Sequence, residues 1–205
     1  MAIADNVLTE MKPIAYPKAR EMVRDGDLLL CSATDPFSKL IRWSTKTPWS
    51  HVAIAYRIET LGRVMVFEAV EKIGVRTVPL STFISRTSSG VHPYPGKILL
   101  ARDGRFEALP ARKKQAMYDF VFGSLGNRFA AGEIFKIALR MLLGRLAREM
   151  PKFLGPRDEY ICSEYVAKAF AKAGMKIPWD GLGFVAPGDF ALAPDINAVA
   201  QIKTR

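Results

Sequence analysis

Strand-length apolar runs up to about residue 103, followed by helix-period segments from Pro110 onward, predict an α+β fold, a small antiparallel sheet or partial barrel packed against helices. The chain has 205 residues, 49% of them hydrophobic and 24% charged, which is enough apolar material for one packed core and too much for a disordered chain. It is read as a single domain over residues 1–205, with a basic helical insertion at about 104–156.

The turn Asp25-Gly26-Asp27 feeds a short buried strand at Leu28-Leu29-Leu30-Cys31. Asp35-Pro36 then places a capping side chain before a proline at the first helical position. The helix that follows carries Phe37, Leu40, Ile41 and Trp43 as its expected apolar face and ends near Thr47-Pro48. His51 to Ile58 and Arg63 to Val70 form a hairpin across Glu59-Thr60-Leu61-Gly62. Gly74 to Leu80 and Ile98 to Arg102 add strands, with a helical turn at Ser81 to Ser85 between them. Ala111 to Leu125, Ala131 to Arg148 and Ser163 to Ala173 have helical spacing. The last thirty residues hold Pro178, Gly181, Gly183, Pro187, Gly188 and Pro194, and irregular chain is expected there.

Thirty Lys and Arg against twenty Asp and Glu give a net charge of +10, which favours polyanionic surroundings. Much of the excess lies between Arg105 and Arg157, with eleven basic residues against four acidic ones. Within it Lys136, Arg140, Arg145 and Arg148 form a basic stripe beside a broad apolar face. That pattern suits either an anionic membrane surface or a core helix with one solvated face. Aromatic residues are not interleaved with the basic ones, so specific nucleic-acid recognition is not expected. No run of 18 uncharged apolar residues and no signal-peptide pattern is present, and a cytoplasmic or virion-associated protein is expected.

Two cysteines and two histidines carry the candidate chemistry. His51 opens an otherwise apolar strand, where it is either a structural histidine bonded to backbone or a proton-transfer group. His92 lies in a Pro-rich loop and reads as a surface residue. If Ile58 and Arg63 close the hairpin, Glu68 falls opposite Ala53 and diagonal to His51, at a Cβ separation of about 7 Å. There it could orient the imidazole and raise its proton affinity; a one-residue slip would leave it in water. Cys162 sits where a loop becomes a helix, so the dipole and free N–H groups would favour its thiolate, although a small buried hydrophobe is the other reading. Cys31, inside a strand, reads as core. Neither histidine has a second ligand at helix or loop spacing and no Cys-x-x-Cys occurs, so no metal site is expected.

Four strings in order, Gly26-Asp27-Leu28-Leu29, Ser50-His51-Val52-Ala53-Ile54, Val66-Phe67-Glu68-Ala69 with Gly74-Val75-Arg76, and Tyr160-Ile161-Cys162-Ser163-Glu164, resemble the circularly permuted branch of the NlpC-type papain-like cysteine hydrolases, often called YiiX-like or YebB-like. The resemblance implies a permuted papain-like fold in which Cys162 is the nucleophile, His51 the base and Glu68 the orienting residue, with no cofactor. It implies attack on an amide, such as a cell-wall peptide, through a thioester. Relatives similar to lecithin retinol acyltransferase imply a lipid acyl substrate as the alternative. A non-catalytic virion or binding protein of the same fold is the third reading.

Overall fold

The computed structural model describes residues 2–71, 73–85, 93–129, 159–178 and 185–204. The elements in chain order are α1 (Val7–Glu10), α2 (Tyr16–Met22), β1 (Leu28–Ala33), α3 (Pro36–Thr45), β2 (His51–Ile58), β3 (Arg63–Val70), β4 (Gly74–Pro79), α4 (Leu80–Phe83), β5 (Gly96–Asp103), α5 (Ala111–Gly123), β6 (Arg128–Phe129), β7 (Glu159–Tyr160), α6 (Cys162–Lys172), α7 (Pro187–Leu192) and β8 (Ile196–Ile202). Six strands form one antiparallel sheet in the order β4-β3-β2-β1-β5-β8. β6 and β7 pair in parallel apart from it. This is the α+β architecture expected from the sequence.

Every residue of β1 is buried, because both sheet faces are covered. Leu28, Leu30, Val52, Ile54, Phe67 and Leu99 pack on one face against Met117 and Val121 of α5, Tyr165 and Phe170 of α6, and Phe190 of α7. Leu29, Cys31, Ala53, Ala55, Val66 and Leu100 pack on the other against Ala19 of α2 and Leu80 and Phe83 of α4. The period of two distributes each strand between two cores, and two-sided burial is why these strands read as nearly continuous apolar runs.

The hairpin register is the one argued from the sequence: Ile58 pairs with Arg63 and Ile54 with Phe67. A 3-10 turn at Glu59–Leu61 and Gly62 at φ +56 close it. The Asp35 carboxylate accepts from the Ser38 N–H at 3.0 Å and caps α3, with Pro36 at the helix start.

Two expectations are corrected. The last thirty residues are not wholly irregular: α7 begins at Pro187, and β8 adds an edge strand beside β5. The Asp189 carboxylate accepts from the Ala186 N–H at 2.8 Å and fixes the start of α7. Ala198 and Ala200 are weak strand formers, so their extended state is set by the β5 edge and not by propensity. In α3 the buried residue is Ser38, while Trp43 is 62% exposed. Ser38 and Arg42 face the body, with only the Phe37 and Ile41 side of the apolar arc turned to it, and an Arg42 guanidinium N–H donates to Ser32 Oγ at 3.2 Å. The helix expected over Ala131 to Arg148, and most of the basic insertion, lie outside the described residues.

Both sheet edges are met by backbone from elsewhere. The Ile14 N–H donates to the Gln201 carbonyl and the Lys203 N–H to the Ile14 carbonyl, each at 2.8 Å, beside β8. At β4 the Val75 N–H donates to the Asn127 carbonyl at 2.8 Å and the Gly126 N–H to the Val75 carbonyl at 2.9 Å. Gly74 sits at φ +91, and a Cβ there would collide with the Asn127 carbonyl. Gly74→Ala is therefore expected to lower stability by about 1–3 kcal/mol, read as a denaturation midpoint shift at unchanged slope, because it combines a left-handed backbone with a backbone clash. A neutral outcome would mean that β4 can part from residues 126–127 without loss.

Candidate functional site

His51 is the first residue of β2, and the neighbouring serine holds that strand end in place. The Ser50 side chain, buried, accepts from the Ala33 N–H at 3.0 Å and donates to the Cys31 carbonyl at 3.2 Å. Glu68 lies one strand over on β3 and shares a sheet face with His51, as the register requires. The His51 Nε2 and Glu68 Oε2 are 2.8 Å apart. The diagonal contact expected from hairpin arithmetic is thus present, and the slipped register is not.

The other Glu68 oxygen is held by Arg76, directly opposite it on β4. Arg76 Nε donates to Oε1 at 2.9 Å, and a terminal guanidinium nitrogen lies 2.8 Å from the same oxygen. Burial by itself would push the Glu68 carboxyl up; His51 and Arg76 outweigh it and hold the group below the usual carboxylate range.

Cys162 is the first residue of α6, preceded by Ile161 in extended conformation, so its backbone N–H belongs to the unbonded first turn. The helix packs through Tyr165, Val166 and Phe170 on the sheet face opposite His51, and its N-terminus brings the thiol to the end of β2. Cys162 and His51 line the same cavity, close enough for each to shift the other's titration. With Nε2 committed to Glu68, Nδ1 is the ring nitrogen left for the sulfur. Burial would raise the thiol, but His51 and the backbone N–H groups of Val52 and Ser163 bring it below the ordinary thiol range. Burial likewise opposes the imidazolium, yet Cys162 and then Glu68 push His51 up to about 10. Each group thus favours the charged form of the other, the arrangement that supports a thiolate beside an imidazolium.

Cys31, opposite His51 on β1, is fully buried, and burial pushes its thiol upward. It is the core residue expected. His92 and the basic residues Lys136, Arg140, Arg145 and Arg148 fall outside the described residues.

The three candidate side chains open on a cavity of about 600 Å³. Phe37 and Ile41 of α3, Val70 and Ile73 around the β3–β4 turn, and Phe83 with Tyr94 supply most of its apolar wall. Tyr94 stacks on Phe83 at 5.5 Å between centroids. Neither the Arg76 clamp nor this wall is part of the sequence-derived site. Arg76 was findable: closing the second hairpin at Val70 and Gly74 puts it opposite Glu68 by the arithmetic used on the first. The wall carries no such signal, because its residues come from four separate segments.

No protein-family model and no curated protein matches the sequence. Among solved structures the chain is similar to one described as the crystal structure of metalloprotein yiiX from Escherichia coli O157:H7, DUF1105. The two share 21% identity over 86% of this chain and 96% of that one, with a TM-score of 0.54. The fold is YiiX-like.

The clamp makes a measurable statement about the sulfur. Without Arg76, burial raises Glu68 towards its neutral form, which supports the imidazolium less and so supports the thiolate less. Arg76→Met is expected to raise the apparent pKa of Cys162 alkylation by on the order of 1 pH unit, with Arg76→Lys intermediate as a single point charge. An unchanged labelling profile in Arg76→Met would show that Glu68 holds its charge without it.

Proposed function

We propose that this protein is a cysteine hydrolase of the permuted papain-like type, acting on an amide carbonyl through Cys162, His51 and Glu68. The observation that carries the reading is that Cys162 and His51 line one substrate-sized cavity, with the ring bonded to the buried Glu68 carboxylate.

The Cys162 thiolate attacks the carbonyl carbon, and the carbonyl π electrons move to oxygen. Backbone N–H groups of the first turn of α6 and of Val52 are the donors available to that oxyanion. As the tetrahedral adduct collapses, His51 gives its proton to the leaving amine and a thioester remains on Cys162. Water then attacks the thioester while His51 takes its proton, and the acid departs with the thiolate restored. Glu68 keeps the ring oriented and carries the balancing charge throughout, as the third member of a triad does. Cell-wall peptide or a related small amide suits a protein of net charge +10, since acidic wall polymers would concentrate it at the substrate.

The similar yiiX structure is described as a metalloprotein. In this chain the donors do not fit a metal: Glu68 is committed to His51 and Arg76, and among the described residues no group of three His, Cys, Asp or Glu is placed to hold an ion. No step is routed through one.

A second reading, a lipid acyl hydrolase or acyltransferase, uses the same three residues on an ester. The apolar wall of the cavity and the outward apolar arc of α3 favour it.

Mass spectrometry of the protein after exposure to mixed peptidoglycan fragments and phospholipids separates the two, because the mass added to Cys162 is the acyl half of the substrate. Cys162→Ala is expected to abolish both adduct and turnover, and Cys31→Ala to preserve both. Slow, equal alkylation of the two cysteines would instead identify a binding protein that keeps the fold without turnover. The pH–rate profile is expected to rise at a pH below the ordinary thiol range, stay flat through neutrality, and fall near pH 10 as His51 loses the proton that it must donate. A single rise near pH 8.5, the titration of an ordinary free thiol, would remove the ion pair from the mechanism.

A further inference from the structure

The helix α3 is amphipathic in an inverted sense. At 100° per residue, Pro36, Phe37, Leu40, Ile41 and Trp43 occupy one arc of its surface, and Lys39 and Arg42 the opposite one, with Lys46 following at the C-terminal cap. The face turned to the protein is neither of these in full: Ser38 is the buried residue and Arg42 bonds to Ser32. The apolar arc therefore spends Phe37 and Ile41 on the cavity wall and leaves Leu40 half-buried and Trp43 62% exposed. From Pro36 to Ile58 the chain contains no acidic residue, while Lys39 and Lys46 are exposed. Across the cavity Ile73 is also half exposed.

We infer that α3 seats the protein on an anionic lipid surface, with Trp43 and Leu40 entering the headgroup boundary and Lys39 and Lys46 meeting lipid phosphates. The inference rests on the second reading above and deepens it, since the same arc that meets the bilayer runs into the cavity wall at Phe37 and Ile41. An acyl group could pass from the interface to the sulfur along apolar side chains. Charge complementarity selects this occupant: an indole beside lysines, with the Asp35 carboxylate at the N-cap already bonded to the Ser38 N–H, matches the headgroup region of an acidic bilayer. Ten residues span about 15 Å, which suits a helix lying in the interface plane and not one crossing it. No helix among the described residues is long and apolar enough to cross a membrane.

The test is flotation of the full chain with phosphatidylcholine vesicles, with and without phosphatidylglycerol. Binding is expected only with the acidic lipid and is expected to weaken as salt rises. Trp43→Ser should reduce the bound fraction severalfold, and Lys39→Glu and Lys46→Glu should each weaken binding by about fivefold or more. Absence of flotation at low salt would overturn the inference. So would flotation that survives Trp43→Ser but is lost on replacing Lys136, Arg140 and Arg145, which would assign lipid contact to the basic segment instead. A vesicle-independent change of molecular mass in Trp43→Ser would assign the arc to a second copy of the chain, also against it. Alkylation of Cys162 in the same variants is expected to match the parent, so loss of lipid binding is read apart from any failure of the thiolate itself.

Discussion

The site depends on one carboxylate kept charged where burial opposes charge. Glu68 is almost wholly enclosed, and its oxygens are divided, one to the His51 ring and one to the Arg76 guanidinium. The His51 ring and the Arg76 guanidinium, on the strands at either side, offset the desolvation that would otherwise neutralise it. Arg76 thereby acts on the partner of the His51 ring from a strand that does not pair with β2.

Sheet geometry makes that arrangement repeatable. β2, β3 and β4 are consecutive antiparallel strands, and residues of one parity on each point to one face. The row His51, Glu68, Arg76 is thereby fixed by two hairpin closures and not by side-chain choice. Cys162 comes from much later in the chain and reaches the row from the opposite face, through the free end of a helix anchored by Tyr165 and Phe170. Rigid elements supply all four groups, which is the condition for holding charged partners at hydrogen-bond distance.

Much of this was legible from residues alone, for identifiable reasons. The positions of β1 to β5 along the chain follow from apolar runs between turn signals, and the His51–Glu68 contact follows from counting across one hairpin. Asp35-Pro36 announced the start of α3 because capping is local chemistry. What escaped was whatever only tertiary context decides. β8 carries Ala198 and Ala200 at a sheet edge, and the prolines and glycines before it suggested loop. The orientation of α3 escaped because its amphipathic period gives an apolar arc without saying which way the arc faces. Arg76 was within reach of the arithmetic, but the second hairpin was not closed. The cavity wall, drawn from separate segments, has no sequence signature at all.

The backbone stitches at residues 14 and 126–127 bear on how this molecule would fail. Each occupies hydrogen-bonding groups that an outermost strand would otherwise offer to any extended peptide nearby. Freeing the segment before Ile14, whether by a bulky fusion or by a protease nick, would bare part of β8 while leaving the thiol at the far side of the sheet intact. Damage of that kind would be felt first as self-association of otherwise competent molecules, with colloidal behaviour deteriorating well before chemistry does.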